Sequence, residues 1–223
     1  MPTNDQAPWA RAGLAIDAFA LGPYETNCYV LRRPGSPECW IFDAGFDPDD
    51  LIGHVRALGL KPKALLLTHA HPDHIAGIGA VLAAFPGTPV LIHRDEERWL
   101  TEPELNLSAF MGVPVSAPGP DALLDHGQVL RLAGLDWTVL HVPGHSPGGC
   151  AFHCPQAHVT ISGDALFAGS IGRTDFPGSN FETLERSIRT RLYTLPPDTV
   201  VLPGHGPPTT VARERAGNPF VRG

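Results

Sequence analysis

The chain has 223 residues, 43% of them hydrophobic and 17% charged, which excludes a disordered polymer and leaves room for one sizeable core. Its 16 basic and 23 acidic residues give a net charge of -7, which argues against a nucleic-acid partner because phosphate binding asks for a basic surface. No apolar run approaches the roughly 20 residues of a bilayer span, and residues 1–11 do not read as a secretory leader, so no membrane partner and a cytoplasmic location are expected.

In chain order, residues 1–12 read as a loose lead-in. Residues 14–21 and 27–33 read as strands joined by the Gly22-Pro23-Tyr24 turn. A third strand, 39–42, ends at Asp43-Ala44-Gly45. Asp47-Pro48-Asp49-Asp50 opens a helix, with acidic residues and proline where a first turn favours them, and Gly59 closes it. The apolar strand 64–67 leads into a turn, and a helix over 73–85 follows. Residues 89–92 predict a strand and 95–100 a helical turn. Residues 101–125 are rich in Pro, Gly and Ser, and Leu107, Phe110 and Met111 give them an apolar face. A loop that long in a compact domain is usually functional, here as a flap over a site. Strands are expected at 129–132, 136–142, 150–153, 158–162 and 199–202, with a helix over 181–193 and a short tail over 206–223. The β-rich second half does not fit alternating β-α units, so the expected fold is two mixed sheets with helices outside, in a single domain over 1–223.

The turn after strand 64–67 is Thr68-His69-Ala70-His71-Pro72-Asp73-His74. Imidazoles and carboxylates are costly to gather beside a core unless a cation or a hydrogen-bond network compensates. His69 and His71 are two apart and point the same way on an extended segment. Three further strands end in glycine-containing turns that each carry one ligand type: His145, Asp164 and His205. Five histidines and two aspartates suffice for two divalent ions with a bridging carboxylate, and imidazole with carboxylate favours Zn, Fe or Mn. Asp43 is expected to hydrogen-bond a ligand histidine or pin the backbone of the cluster, beside Thr68. The isolated histidines 54, 93, 126, 141, 153 and 158 are expected to be ordinary surface or internally bonded residues. The four cysteines, 28, 39, 150 and 154, form no CxxC pair. They read as buried thiols, and 150 and 154, about 13 Å apart on one strand, lie too far apart for a disulfide.

Thr-His-x-His-x-Asp-His followed by single His, Asp and His at strand ends resembles the metallo-β-lactamase superfamily, over essentially the whole stretch from Asp43 to His205. The resemblance implies an αββα sandwich with metals along one edge. It implies that His69, His71 and His145 hold one ion, that Asp73, His74 and His205 hold a second, and that Asp164 bridges. A bridging carboxylate in place of a thiolate argues against a true β-lactamase. The run Gly163-Asp164-Ala165-Leu166-Phe167-Ala168-Gly169-Ser170-Ile171-Gly172-Arg173-Thr174-Asp175-Phe176, with Pro203-Gly204-His205-Gly206-Pro207 and Asn218-Pro219-Phe220, is similar to short bacterial glyoxalase II-like enzymes. The longer enzymes of that branch carry an added C-terminal helical domain, and they have Lys and Tyr where this chain has Arg173 and Asp175.

The function this implies is hydrolysis of a small-molecule thioester such as S-lactoylglutathione, or another thiol conjugate. Two divalent cations, zinc first and iron or manganese next, would activate the attacking water. Asp73 is the candidate for handling a proton, and Arg173 for pairing with a substrate carboxylate. The competing expectation is a mononuclear persulfide dioxygenase holding a single Fe2+ on His69, His145 and Asp164. A non-catalytic metal-binding scaffold is the minor alternative.

Overall fold

A strand that is apolar at every position, as over 64–67, needs cover on both faces. The computed structural model, which describes residues 7–223, provides it through an αββα sandwich of two mixed sheets. The first sheet runs β1 (Ala15–Leu21), β2 (Thr26–Arg32), β3 (Glu38–Phe42), β4 (Lys61–Leu66), β5 (Val90–His93) and β6 (Ala122–Leu124). Its first three strands are antiparallel and the rest parallel. Helices α1 (Asp49–Ala57), α2 (Pro72–Ile75) and α3 (Ile78–Ala84) lie along the sequence between its parallel strands.

The second sheet begins with β7 (Val129–Leu132), β8 (Leu135–His141), β9 (Cys150–Cys154) and β10 (Val159–Gly163), each antiparallel to the one before it. A small hairpin, β11 (Leu166–Phe167) and β12 (Ser170–Ile171), and helix α4 (Phe181–Ser187) follow. Strand β13 (Val200–Pro203) then pairs parallel to β10, and β14 (Thr209–Thr210) closes the edge before α5 (Val211–Gly217).

Period-two alternation distributes the core. Leu31, Phe42 and Leu66 face inward to Trp137, Val139 and Phe152 of the second sheet. Their chain neighbours Val30, Ile41 and Leu65 face outward, onto Leu51 and Val55 of α1 and Ile78 and Val81 of α3. The outer face of the second sheet meets Leu184, Ile188 and Leu192. No helix among the described residues is long and apolar enough to cross a membrane.

Four expectations are corrected. The lead-in is not loose where it is described: Pro8–Ala12 form a 3-10 turn, closed by Gly13 at φ 72°, and Trp9 is completely buried between the sheets. One indole can anchor a segment too short to show any period; residues 1–6 lie outside the described residues. The helix expected over 73–85 is broken at Ala76-Gly77. There the chain after β3 intrudes: Ala44 N donates to His74 O and Gly77 N to Ala44 O, each at 2.8 Å. A side chain on Gly77 would strike the Gly45 carbonyl. The loop 101–125 is not irregular to its end, since β6 pairs with β5. The tail 206–223 is built into the fold by β14 and α5, and Val221 is buried and accepts a 2.7 Å hydrogen bond from the Tyr193 hydroxyl.

Candidate metal centre

Strands β3 and β4 run parallel, and so do β10 and β13; β8 shares the direction of β10 through β9. The turns after these strands carry Asp43, the 68–74 cluster, His145, Asp164 and His205. The structure brings the seven residues expected as ligands together. His69, His71 and His145 offer one nitrogen each within 4.8 Å of one another, and so do the donor atoms of Asp73, His74 and His205. Asp164 sits between the groups, with its carboxylate 3.4 Å from His74 Nε2, 3.5 Å from His145 Nε2 and 3.4 Å from His205 Nε2. Gly204 permits that approach, because a Cβ there would collide with Asp164 Oδ1.

The imidazoles are oriented from behind. Nδ1 of His69 meets Thr68 Oγ1 at 3.1 Å, that of His74 meets Asp43 Oδ2 at 2.9 Å, that of His145 meets the Arg173 carbonyl at 2.8 Å, and that of His205 meets the Tyr24 carbonyl at 3.1 Å. These acceptors place the proton on Nδ1 and leave Nε2 as the inward donor atom. His71 is reversed, with Nδ1 inward, 2.9 Å from His145 Nε2. Nε2 of His69 and of His74 and Oδ1 of Asp164, all inward, are buried without a hydrogen-bond partner. Buried polar atoms in a native fold are normally bonded, so this convergence fits cations.

Electrostatics point the same way. Burial disfavours charge on His69, aided by His74 and His71, and its pKa falls well below the usual value. Burial and His145 take His71 down to about 3. Both are thus held neutral, as ligation requires. On the other side, the carboxylates of Asp73, Asp164 and Asp43 outweigh burial and raise His74. Burial likewise opposes the charge on His205, but Asp164 and Asp73 lift it to about 10. Against their own burial, Asp73 is held down to about 2 by His74 and His205, and Asp164 is also held low. Carboxylates that draw protons onto two imidazoles exert the same pull on a divalent ion.

Asp43 binds the cluster. It accepts from Thr68 N at 2.7 Å and Thr68 Oγ1 at 2.8 Å, and its backbone sits at φ 59°, a left-handed conformation costly for a non-glycine residue. Arg173 is placed differently from a free substrate clamp: its exposed guanidinium forks onto Asp175 at 2.9 and 2.8 Å and stacks 4.2 Å from the Phe176 ring. Asp73 accepts from Thr26 Oγ1 at 2.9 Å.

Glu96 did not stand out in the sequence. Fully buried, it accepts from Ala70 N at 2.6 Å and from Gly148 N at 2.7 Å. It therefore ties the His69–His71 turn to the His145 turn. Burial lifts its carboxyl to about 7, against the pull of the surrounding donors. Acidic residues crowd a first helical turn here for ordinary reasons, so nothing in the local pattern singled this one out. A further group, His93, Asp95 and His141, lies apart. Its two rings stack at 4.0 Å, and His141 Nε2 is committed to the Pro147 carbonyl at 2.8 Å.

A cavity of about 630 Å3 opens onto the centre, lined by His71, Asp73, His145, Asp164 and His205 together with Tyr24, Leu107, Phe110, Met111, Phe167, Ile171 and Phe176, among others. Among the described residues, no Ser, Thr, Cys or Lys lines it.

The sequence model described as the metallo-beta-lactamase superfamily matches residues 21–205. The chain is 35% identical to the hydroxyacylglutathione hydrolase GloC of Haemophilus influenzae, over 92% of this chain and 97% of that protein. It is similar to the crystal structure of the BLEG-1 B3 metallo-beta-lactamase, with a TM-score of 0.89 and 41% identity over 94% of this chain and 100% of that one. It is also similar to TTHA1623 in a di-iron-bound form, with a TM-score of 0.79 and 37% identity over 92% of this chain and 100% of that one.

Proposed function

We propose, from the premise that this chain belongs to the metallo-beta-lactamase superfamily, that it hydrolyses thioesters at a pair of divalent cations. The observation that carries the reading is the cavity's chemistry: Nε2 of His69 and His74 and Oδ1 of Asp164 converge with no hydrogen-bond partner, and among the described residues no nucleophilic Ser, Thr, Cys or Lys lines the space. The relative named hydroxyacylglutathione hydrolase supports a thioester, and the relative with two irons supports a binuclear site.

In this reading His69, His71 and His145 hold one cation, Asp73, His74 and His205 hold the other, and Asp164 is shared. When bound, such cations supply an activated water and positive charge for the developing oxyanion, zinc being the first candidate. Asp43, Thr68 and the carbonyls of Arg173 and Tyr24 keep the rings aimed. Asp73, 3.2 Å from His205 Nε2 and steadied by Thr26, handles the proton passing from water to the leaving thiolate. We infer a cytoplasmic location, supported by four free, buried cysteines.

Protein purified without added metal is expected to carry two divalent ions per chain and to cleave S-lactoylglutathione or a simpler thioester. Chelation should abolish turnover and lower the melting temperature, with both restored by zinc. A single iron per chain with sulfide-dependent oxygen uptake would replace this reading with the dioxygenase one; inertness of the metal-replete protein toward every thioester would end it.

A further inference from the structure

The cavity is apolar beyond the ligand row. Phe176 stands 5.7 Å from the His71 ring and Phe167 6.0 Å from the His205 ring, so an aromatic edge flanks each end of the row. Leu107, Phe110 and Met111 add a wall from the long loop. Phe110 is 75% exposed and Met111 42%, yet the turn that carries them is firmly built. Buried Asn106 donates from Nδ2 to the Trp99 and Val115 carbonyls, each at 2.9 Å, and accepts from Ser108 N at 3.0 Å. Val115 N donates to Ser108 Oγ at 2.8 Å. The turn is bounded by Leu107 at φ 72° and Gly112 at φ 76°. A leucine held in the left-handed region, to present apolar side chains to solvent at the mouth of a site, is a cost that an apolar ligand would offset.

Charge argues in the same direction. Among the described lining residues Arg173 is the only Lys or Arg, and its guanidinium is already bidentate on Asp175. Glutathione brings two carboxylates and an ammonium, and nothing in this lining offers an uncompensated cation for either carboxylate. Pockets of this volume hold small ligands mainly through apolar contact.

We propose that the cavity selects thioesters with an apolar acyl chain on an uncharged thiol, with Phe110 and Met111 as the acyl wall. The proposal rests on the thioester reading and goes beyond it in naming the substrate class. The test uses the zinc-replete full chain with acyl-N-acetylcysteamine thioesters from acetyl to octanoyl, and S-lactoylglutathione. The expected kcat/KM climbs with chain length by up to about fourfold per methylene and surpasses that for S-lactoylglutathione. The double substitution Phe110→Ser with Met111→Ser should make the series climb less steeply, mainly through KM, costing about tenfold at octanoyl. Both positions are exposed, so the melting temperature should hold; Val129→Ser, exposed and outside the cavity, should leave the slope intact. A flat series, a slope indifferent to the double substitution, or S-lactoylglutathione as the best substrate overturns this proposal and leaves thioester hydrolysis standing. Failure on every thioester removes both.

Discussion

Asp164→Asn is expected to lower turnover by at least about 10²–10³-fold and to reduce bound metal from two ions per chain towards one or none. The substitution keeps the side chain's shape and removes its charge. That carboxylate faces His74, His145 and His205 at 3.4, 3.5 and 3.4 Å, so it belongs to both donor groups. An amide offers one neutral acceptor where two charged oxygens stood, and its NH2 would point a donor at either a cation or an imidazole. Elemental analysis of the purified variant, alongside thioester turnover, checks both halves. Retention of two ions with a rate within tenfold of the parent would show that Asp164 is not shared between them.

Glu96→Ala is the second large effect expected, and it acts at a distance from the reacting atoms. Removing the carboxylate leaves the amides of Ala70 and Gly148 buried without acceptors, at about 1–3 kcal/mol each. The two turns then lose the tie that sets His71 Nδ1 at 2.9 Å from His145 Nε2. The melting temperature should fall, and so should affinity for the ion proposed at the histidine triplet. Glu96→Gln retains one carbonyl acceptor and should lie between parent and alanine in both respects. Cobalt(II) substitution gives a readout that loss of stability alone would not move, because the visible spectrum follows ligand geometry. If the folded alanine variant gives the parent spectrum and the parent metal affinity, Glu96 has no positioning role.

What was legible in the sequence divides along physical lines. His69, His71, Asp73 and His74 lie within six residues, so their meeting is local and needs no knowledge of the fold. His145, Asp164 and His205 could be referred to them because each follows an apolar strand and a glycine turn, and strands of one direction end on one rim. Asp43 carried the same signature. Two mixed sheets with helices outside were legible from the β-rich second half, which alternating β-α units do not explain, and the αββα sandwich followed from the family resemblance. Glu96 was not legible, because its meaning lies in contacts 26 and 52 residues away. Trp9 was missed since one indole has no period. The helix break at Gly77 arose from backbone hydrogen bonds with Ala44, a pairing across more than thirty positions that helix propensity does not register. Arg173 was read for its guanidinium, whereas its carbonyl also holds His145.

The turn at Ser108–Met111 is fastened at its base by Asn106, on hydrogen bonds that involve none of the seven candidate ligands. On the proposed reading, chemistry and preference are thereby written on separable pieces of chain. A graft of residues 107–113 from a related protein would carry its acyl preference along and leave the cations where they are, so lineages sharing this rim could diverge in diet while keeping one reaction.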